Sequence, residues 1–438
     1  MKFTKICVLG LGYTGLPTAS MFATHGLRVV GVDVDTRVVE TLRSGGLHIH
    51  EPGLRTLVQA AIGSGNLTIS YQPEPSDAFV IEVPTPFYAD KRADMRAVSA
   101  ATEAILPCLK TGNLVVLEST SPPLTTLNLL APILERSGLR AGLDFYLAYS
   151  PERVMPGQIL REIIENDRVI GGINHASALA GRDLYALFVR GEILLTDATT
   201  AEMVKLMENT YRDVNIALAN EFSRLGERFG IDIWGAISIA NRHPRVKILR
   251  PGPGVGGHCI SVDPWFLVEA AADISPLIHT ARQVNDQQPS HVVDLIHRAS
   301  GAPTETGLGG RRICLLGLAY KEDIDDLRES PAIAVGRLLQ AAGAEVIAYE
   351  PNRADAVIPG IQTAPSFEQA VMDSEIIVLL VGHAPFKSLD PYNLAELTPA
   401  RILVDCVNIW VDPVWEQAGF HVSYLGNGRS GSGGVDLV

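Results

Sequence analysis

Residues 5–15 read KICVLGLGYTG, and this stretch decides the fold. A short apolar run ends at a glycine and a helical pattern follows at once, which predicts a strand, a tight turn and a helix. The glycines of the turn are Gly10, Gly12 and Gly15. They let backbone N–H groups at the start of the helix approach a pyrophosphate. The stretch therefore predicts a dinucleotide-binding domain.

Asp33 ends the next apolar run, 29–33, at the spacing expected of a carboxylate that binds a ribose. Its charge would repel a 2′-phosphate, so it favours NAD over NADP as the cofactor. Arg37 lies one helical turn later and would weaken that preference. We expect Asp33 and Arg37 to line the cofactor together with the glycine turn.

Strand-sized apolar runs alternate with helical patterns on both sides of one long helix. Strands are predicted at 78–83, 114–117 and 145–149, and a second strand–turn–helix unit opens at 312–317. Residues 200–229 predict the long helix, because apolar side chains recur there at spacings of three and four. The order predicts an α/β fold, with two Rossmann-like doubly wound parallel-sheet domains joined by a helical middle domain with a long central helix.

The predicted domain boundaries follow changes in composition. We expect a cofactor-binding domain at 1–197, a helical middle domain at 198–298 and a second Rossmann-like domain at 311–425. Residues 276–299 predict a further helical stretch of the middle domain. The glycine- and serine-rich end of the chain, 426–438, is predicted to be a disordered tail.

The 438 residues carry a net charge of −13 at pH 7. This charge argues against nucleic acid or an anionic membrane as a partner. The five cysteines are scattered without a Cys-x-x-Cys pair, which predicts reduced thiols in the cytoplasm and no metal site. No apolar run is long enough to cross a membrane, and no signal-peptide pattern opens the chain. We therefore expect a cytoplasmic protein.

Residues 251–264 read PGPGVGGHCISVDP, which is too rich in glycine for a helix or a central strand. The stretch predicts a shaped loop. Cys259 and Asp263 lie four residues apart on it, which suits a thiol nucleophile beside a polar partner. A cysteine taken at random is more often a small buried hydrophobic residue, and the loop context reverses that expectation. For His258, a structural and a functional role stay equally open.

Lys205 and Asn209 stand four residues apart, so they share one face of the long helix. They could reach a common site with the cysteine loop. From spacing alone, a solvated helix face is the better explanation.

Motifs spread over almost the whole chain resemble those of the UDP-glucose/GDP-mannose dehydrogenase family. They occur in the family's order up to about residue 411. The motifs are GLGYTGLP at 10–17, VPTPF at 83–87, ESTSP at 118–122, SPERV at 150–154, KLMEN at 205–209, GGHC at 256–259, GLAYK at 317–321 and DLRESP at 326–331.

The resemblance implies two successive oxidations at C6 of a sugar nucleotide, each with one NAD. It implies that the Cys259 thiolate adds to the intermediate aldehyde and then carries a thioester that water hydrolyses. Lys205, or a water held by Asp263, would be the base, and Lys205 and Asn209 would stabilise the oxyanion. Thr120 and Glu152 would position the hydrolytic water.

By the same resemblance, the cofactor should be lined by Tyr13, Thr14, Asp33, Thr85 and Thr120. The sugar nucleotide should be surrounded by Arg153, Val154, Lys205, Asn209, Arg212, His243, Arg245, Lys321 and Arg328. Several of these side chains are cationic, which suits a diphosphate. The second Rossmann-like domain would bind the UDP part, and the middle domain would make a homodimer. His243 or Arg245 would then reach the site of the neighbouring subunit.

Within the family, residues 208–217 and 241–249 indicate a UDP-N-acetylhexosamine substrate, with N-acetyl-D-mannosamine as the expected sugar and a surface polysaccharide as its destination. Plain UDP-glucose dehydrogenases carry a second glutamate where this chain has Pro156. UDP-N-acetyl-D-glucosamine and UDP-glucose remain the alternative substrates. A two-electron enzyme of the 6-phosphogluconate or hydroxyisobutyrate type would not need the cysteine loop. A non-catalytic sensor of NAD or nucleotide sugars is the alternative of a different class.

Overall fold

The structure is a computed structural model that describes residues 1–155, 157–257, 259–301 and 307–429. His258 and Pro156 lie outside these residues, as do 302–306 of the predicted linker. The chain forms two compact units, which are described separately. The first comprises Met1–Glu208 and Trp265–Ala272, and the second comprises Asn209–Pro264 and Asp273–Val438. The three predicted domain ranges stay a prediction.

The first unit is built on an eight-stranded sheet. Its strands, in chain order, are β1 (Lys5–Leu9), β2 (Arg28–Val32), β3 (Leu67–Ser70), β4 (Ala78–Ile81), β5 (Leu114–Leu117), β6 (Tyr146–Tyr149), β7 (Arg168–Gly172) and β8 (Ile193–Asp197). They lie in the order β3-β2-β1-β4-β5-β6-β7-β8. The order changes direction at β1, which in a doubly wound sheet opens a crevice beyond the carboxyl ends of β1 and β4.

Helices cover both faces of this sheet. They are α1 (Gly15–Thr24), α2 (Thr36–Arg43), α3 (Leu54–Gly63), α4 (Arg96–Ile105), α5 (Ala131–Glu135), α6 (Ile159–Glu165) and α7 (His175–Tyr185), with a 3-10 turn at Leu106–Cys108 and a π-helical turn at Thr126–Leu130. Ile6 and Val8 belong to the core on one face, and Cys7 and Leu9 belong to the core on the other. Strands buried on both faces read as continuous apolar runs, which is why β1, β2, β4, β5 and β6 could be located from the sequence. Strands β3, β7 and β8 were not predicted.

One strand pair departs from the predicted parallel arrangement. Strand β7 pairs with β6 in the antiparallel sense, with Tyr149 opposite Gly171, whereas β7 and β8 pair in parallel. Because β7 is reversed, its first residue, Arg168, lies at the sheet edge where β4, β5 and β6 end. A purely parallel sheet would have placed Arg168 at the opposite edge.

The long helix is α8 (Ala198–Phe229), close to the predicted 200–229. The other helices of this part are α9 (Ile233–Ala240), α10 (Asp263–Ala270), α11 (Pro276–Asp286) and α12 (Gln288–Ser300). The stretch 276–299 was predicted as helical, and the structure divides it at Gln287. Pro289 falls in the first turn of α12, where its missing N–H costs no helical hydrogen bond.

The second unit contains a six-stranded parallel sheet in the order β11-β10-β9-β12-β13-β14. Its strands are β9 (Arg312–Leu316), β10 (Glu345–Tyr349), β11 (Gln362–Thr363), β12 (Ile376–Leu379), β13 (Ile402–Asp405) and β14 (His421–Tyr424). Its helices are α13 (Pro331–Ala341), α14 (Phe367–Val371), α15 (Ala384–Lys387), α16 (Pro391–Leu397) and α17 (Val414–Gln417). Two parallel α/β sheets with a helical middle confirm the predicted fold class.

The predicted disordered tail begins too early. The N–H of Gly426 donates to Glu227 Oε1 at 3.1 Å, and the carbonyl of Gly426 accepts from Ile233 N at 3.0 Å. The N–H of Gly428 donates to Ile231 O at 3.1 Å. These bonds order residues 426–428 against the junction of α8 and α9, since glycine fits where a side chain would meet backbone. Residues 430–438 lie outside the described residues.

Among the residues that the structure describes, no helix is both long and apolar enough to cross a membrane.

Asp405 organises the turn after β13. Its Oδ1 accepts from the N–H groups of Val407 and Asn408 at 2.9 and 2.7 Å, and its Oδ2 accepts from those of Ile409 and Trp410 at 2.7 and 2.8 Å. The side chain is fully buried. One carboxylate therefore satisfies four backbone donors that have left the strand.

We predict that Asp405→Ala lowers the free energy of unfolding by about 3 kcal/mol or more, because several buried donors lose their acceptor together. Urea unfolding followed by tryptophan fluorescence measures this, since Trp410 packs on Trp415 at 4.7 Å between ring centroids. Asp373→Ala is the control, because Asp373 is 60% exposed and only pairs with Arg312 at 3.3 Å. Equal effects of the two substitutions would contradict the prediction.

Candidate active site

The glycine turn after β1 is shaped by close backbone contact. Gly10 has a φ of +97°, and its N–H donates to Val32 O at 2.8 Å. A Cβ on Gly10 would lie 2.1 Å from Glu82 O, and one on Gly15 would lie 2.1 Å from Gly10 O. A Cβ on Gly12 would meet nothing within 4 Å. Gly10 and Gly15 are therefore required for packing, whereas Gly12 leaves the open side on which a pyrophosphate can approach.

Asp33 lies just beyond β2, where the sequence predicts a ribose-binding carboxylate. Its Oδ2 accepts from Leu11 N and its Oδ1 accepts from Asp35 N, both at 2.9 Å. Each carboxylate oxygen keeps a second lone pair, so the side chain can still accept from ribose hydroxyls. The Arg37 guanidinium forms an ion pair with Asp35 at 2.8 Å and is 88% exposed. These residues fit NAD, and the roles of Asp33 and Arg37 stay predictions.

The loops that follow β4 and β5 are joined by hydrogen bonds. Thr85 Oγ1 donates to Thr120 O at 2.7 Å. Ser119 Oγ accepts from Val83 N at 2.9 Å and donates to Val83 O at 2.8 Å. The structure thus brings together Thr85 and Thr120, which the sequence predicts to line the cofactor. Tyr13 is 37% exposed beside the glycine turn.

Glu152 and Lys205 are also in contact. Lys205 Nζ donates to the backbone carbonyl of Glu152 at 2.8 Å. Glu152 Oε1 accepts from Arg153 N at 2.8 Å, and Oε2 accepts from Arg168 Nη1 at 2.9 Å. Lys205 is therefore directed at the loop after β6, so a solvated helix face is the wrong explanation for it.

The two other site residues predicted on this loop point elsewhere. Arg153 Nη1 pairs with Glu208 at 2.8 Å, and Nη2 donates to Asp167 O. Val154 packs against the core of the first unit. Their predicted contact with the sugar nucleotide stays a prediction.

The cysteine loop packs tightly within the second unit. Gly257 has a φ of +79°, and a Cβ there would lie 3.0 Å from the ring of Tyr320. A Cβ on Gly256 would lie 2.6 Å from Glu329 O. The N–H of Gly257 donates to Arg328 O at 3.0 Å. The glycines of the loop are thus needed for contact with residues 320–329, which carry predicted substrate cations.

Cys259 differs from the other cysteines in its exposure. It is half-buried, whereas Cys7, Cys108, Cys314 and Cys406 are buried. Burial raises the pKa of the Cys7 thiol to about 12, and burial also raises the pKa values of Cys314 and Cys406. All five cysteines are described, and Cys259 is the one that is not buried. Its role as a nucleophile stays a prediction.

Asp263 begins α10 and lies next to the cysteine loop. Its N–H donates to the carbonyl of Cys259 at 2.8 Å, and its buried Oδ2 accepts from Asn209 Nδ2 at 2.5 Å. The structure therefore brings the predicted residues Cys259, Asp263 and Asn209 together. This grouping needs α8 and α10 to pack on each other, which sequence spacing alone does not show.

A buried polar chain fixes the start of the cysteine loop. Asn220 Oδ1 accepts from Gly252 N at 2.9 Å, and Asn220 Nδ2 donates to Asn285 Oδ1 at 2.9 Å. Asn285 Nδ2 donates to Asp213 Oδ1 at 2.8 Å, and Arg282 pairs with the same oxygen at 2.5 Å. Every residue of this hydrogen-bonded chain is buried or half-buried, so the backbone at Gly252, where the cysteine loop begins, is held in a fixed position.

The remaining predicted substrate residues are cationic or potentially cationic and lie at the surface of the second unit. These are Arg212, His243, Arg245, Lys321 and Arg328. Arg328 donates from Nε and Nη2 to Asp326 at 2.9 and 2.6 Å. Arg245 N lies 3.4 Å from His243 Nδ1. Their exposure leaves them accessible to a ligand, and their substrate contacts stay predictions.

The turn after β9 resembles the glycine turn after β1, but its acidic residue has different partners. Gly317 N donates to Tyr349 O at 2.9 Å, as Gly10 N does to Val32 O. Glu350 occupies the position that corresponds to Asp33. Its Oε2 accepts from Leu318 N at 2.7 Å and lies 3.0 Å from His383 Nε2. The Glu350 carboxylate is therefore occupied by contacts within the second sheet's own unit.

At the carboxyl edge of the first sheet lies a group of charged side chains that we call the edge cluster: Glu82, Glu118, Glu152 and Arg168. The sequence predicted a role for Glu152 but not its grouping with the other three. Arg168 pairs with Glu118 and with Glu152, and the three side chains are 4%, 0% and 9% exposed. Tyr185 Oη donates to Glu118 at 2.5 Å. The available signal was a glutamate directly after each of two apolar runs, at 82 and 118.

Glu82 is the member of the edge cluster that faces the glycine turn. Its Oε1 accepts from Thr14 Oγ1 at 2.5 Å. Its Oε2 and Glu118 Oε2 are both buried. Burial first, and then the charge of Glu118, raise the pKa of Glu82 well above its usual range. These causes favour the protonated form of Glu82, while Glu118 contacts the Arg168 guanidinium.

No group of three or more His, Cys, Asp and Glu side chains in the described part of the chain is arranged to hold a metal ion.

Three domain models of one family match the chain in order. The NAD binding domain of the UDP-glucose/GDP-mannose dehydrogenase family matches residues 4–189, its central domain matches 199–287, and its UDP binding domain matches 314–413. The chain belongs to this family of NAD-dependent nucleotide-sugar oxidoreductases. The predicted family and cofactor are confirmed.

Individual relatives are similar to almost the whole chain and carry more specific names. A UDP-N-acetyl-D-mannosamine dehydrogenase of Methanococcus aeolicus is 45% identical over 98% of this chain and 97% of that protein. An NDP-N-acetyl-D-galactosaminuronic acid dehydrogenase of Ralstonia solanacearum is 46% identical over 94% of this chain and 97% of its own. The solved structure of a UDP-D-ManNAc dehydrogenase from Pyrococcus horikoshii is 40% identical, with a TM-score of 0.90 over 98% of this chain and 100% of that chain.

We predict that Glu82→Gln changes the pH dependence of stability. Above the usual pKa range of glutamate, the unfolded chain releases a proton that folded Glu82 retains, so this residue lowers stability as pH rises towards its folded pKa. A glutamine at this position has no proton to release, and its amide can donate to Glu118. The stability of the variant relative to the native protein should therefore increase between about pH 5 and about pH 8.

Urea midpoints across that range measure the effect. Glu103→Gln is the control, because Glu103 is 51% exposed and pairs with Arg136 at the surface. Parallel pH profiles for the native protein and Glu82→Gln would show that Glu82 is ionised in the folded state.

Proposed function

We propose that the protein oxidises UDP-N-acetyl-D-mannosamine at C6 to UDP-N-acetyl-D-mannosaminuronate in two NAD-dependent steps. The observation that carries the proposal is Cys259, half-buried on a glycine loop with the Asp263–Asn209 pair beside it. An oxidation that stops at a ketone or aldehyde, after one hydride transfer to NAD, has no use for such a cysteine. The relatives named for N-acetyl-D-mannosamine support the choice of sugar.

Three residues would carry the first oxidation. The Lys205 ammonium already donates to a carbonyl, so it suits stabilisation of the alkoxide as charge develops. Asn209 would donate to the same oxygen. Asp263 is a buried acceptor, so it suits holding the water that removes the hydroxyl proton. NAD, when bound, accepts the hydride in each oxidation.

Cys259 would then hold the aldehyde covalently. Its thiolate adds to the aldehyde carbon to give a thiohemiacetal, whose oxidation leaves a thioester. Water hydrolyses the thioester to the acid, and Thr120 and Glu152 would position that water. The covalent bond keeps the reactive aldehyde on the enzyme between the two oxidations.

The exposed cations of the second unit would bind the UDP-sugar. Arg328 and Lys321 suit the diphosphate, because guanidinium and ammonium groups donate to its oxygens. Arg212, His243 and Arg245 would complete this group of substrate cations. Arg153 and Val154 are the further residues that we expect to contact the sugar nucleotide.

We also propose a cytoplasmic homodimer formed through α8. Its exposed apolar residues Tyr211, Leu218, Leu225 and Phe229 recur at spacings of seven, seven and four, so they follow one stripe of the helix. Tyr211 and Phe229 are 68% and 67% exposed, which is unusual for side chains of this size.

The N-acetyl-D-galactosaminuronic acid dehydrogenase at similar identity makes UDP-N-acetyl-D-galactosamine, which differs from UDP-N-acetyl-D-mannosamine at C2 and C4, a second candidate substrate. UDP-N-acetyl-D-glucosamine and UDP-glucose are weaker alternatives. A non-catalytic sensor would need none of Cys259, Lys205 and Asp263 to be intact.

The test is the ratio of NADH formed to sugar consumed, with purified protein, NAD and a panel of the four UDP-sugars. We predict two NADH per sugar and the highest kcat/KM with UDP-N-acetyl-D-mannosamine. Two NADH with another sugar preferred would keep the mechanism and change the substrate. One NADH per sugar would remove the role of Cys259, and no NADH with any of them would support a sensor.

We predict that Cys259→Ser abolishes acid formation and leaves NAD binding and the melting temperature nearly unchanged, because serine is almost isosteric. A serine hydroxyl stays protonated at neutral pH and is a much poorer nucleophile than a thiolate, so the loss in kcat should be at least about 1,000-fold. Cys108→Ser is the control, since Cys108 is buried at the end of the 3-10 turn. Near-native acid formation by Cys259→Ser would exclude covalent catalysis.

A further inference from the structure

The edge cluster contains a buried cation that the proposed mechanism does not use. Arg168 is 4% exposed and lies at the start of the reversed strand β7. A buried guanidinium is costly unless its donors are satisfied by charged partners. The partners of the Arg168 guanidinium therefore indicate which side chains it positions.

Each nitrogen of the Arg168 guanidinium has a partner. Nη1 donates to Glu152 at 2.9 Å, Nε donates to Ser150 Oγ at 2.8 Å, and Nη2 donates to Glu118. The guanidinium carbon also lies 3.9 Å from the ring centroid of Tyr185. Bonds on three sides and an aromatic ring on one face leave Arg168 a single orientation.

Glu152 is fixed through Arg168 and through its own backbone. Arg168 binds Oε2, the N–H of Arg153 binds Oε1 at 2.8 Å, and Lys205 binds the backbone carbonyl at 2.8 Å. Each carboxylate oxygen keeps one lone pair. Glu152 is thus an oriented acceptor that can still hold a water molecule.

The charges in the edge cluster support this arrangement. Glu118 and Glu152 lie on two sides of the one Arg168 guanidinium. Tyr185 donates to Glu118 and thereby supports the far side of Arg168. The cluster as a whole holds the Glu152 side chain in one position.

We infer that Arg168 is a positioning residue for the last chemical step, in which it holds Glu152 so that this carboxylate orients the water that hydrolyses the Cys259 thioester. This inference rests on the proposed function. Water adds to the thioester carbonyl, the C–S bond breaks and its electron pair leaves on Sγ. One proton of the water restores the thiol and the other is released as the carboxylate product forms, so no oxidant is needed.

Arg168→Lys in the full-length protein tests the inference. Lysine keeps the charge, but it cannot bind Glu118, Ser150 and Glu152 together. We predict that kcat falls about 100-fold, because the water is no longer oriented. KM for the UDP-sugar and for NAD should not rise, and a first turnover should still release two NADH per active site at nearly the native rate.

Two readouts separate this effect from general damage. Intact-mass measurement during turnover should show the acyl group accumulating on the Arg168→Lys protein. Hydroxylamine attacks thioesters without an oriented water, so it should restore NADH formation and yield the hydroxamate. Arg136→Lys is the matched control and should behave like the native protein, since Arg136 is 59% exposed and pairs with Glu103 at 2.6 Å.

The outcomes are distinct. If folded Arg168→Lys slows the first turnover as much as the steady state and accumulates no acyl-enzyme, the inference is wrong. Native turnover by the variant would also overturn it. If the native protein releases no NADH with any UDP-sugar, the proposed function itself fails.

Ser150→Ala keeps the test decisive if Arg168→Lys does not fold. It removes only the hydroxyl that binds Arg168 Nε, and alanine fits the buried site. The hydroxyl also donates to Val169 O at 3.2 Å, and that bond is lost as well. We predict a fall in kcat of about fivefold, because Arg168 loses one of its hydrogen bonds, with partial accumulation of acyl-enzyme and rescue by hydroxylamine. A folded Ser150→Ala protein without any acyl-enzyme would count against the inference.

Discussion

Both sheets are buried on both faces, and this constraint decides where polar chemistry can be placed. A charged side chain within such a strand would face an apolar core, so polar groups are confined to the strand ends and the loops that follow them. In the first unit, Asp33, Glu82, Glu118 and Glu152 all lie just beyond the carboxyl ends of strands. The glycine turn and the edge cluster both lie at the carboxyl edge because the strands themselves are buried on both faces.

The two glycine turns show how one backbone arrangement serves two purposes. In both, a glycine N–H binds the second strand and an acidic side chain binds the next N–H. Asp33 stays half-buried with lone pairs to spare, whereas Glu350 is buried and lies against His383. The first carboxylate suits recognition of a ribose, while the second mainly stabilises its own domain.

The sequence was sufficient for the parts that local patterns encode. The glycine turn, the position of Asp33, the long helix and the loop that carries Cys259 all follow from a few neighbouring residues. The reversal of β7 did not follow, because a buried apolar run looks the same in either direction. The edge cluster was missed for a related reason: residues 82, 118, 152 and 168 come from four separate elements, and only pairing of the strands brings them together. The contact between Asp263 and Asn209 likewise depends on the packing of two helices.

The reversed strand also makes the register of β7 critical. The first residue of β7 is the one that reaches the edge, and side chains alternate between the two faces of a strand. A slip of one residue in the pairing of β7 with β6 and β8 would turn Arg168 towards the other side of the sheet. The register of β7, as much as the identity of its residues, is therefore part of what defines the site.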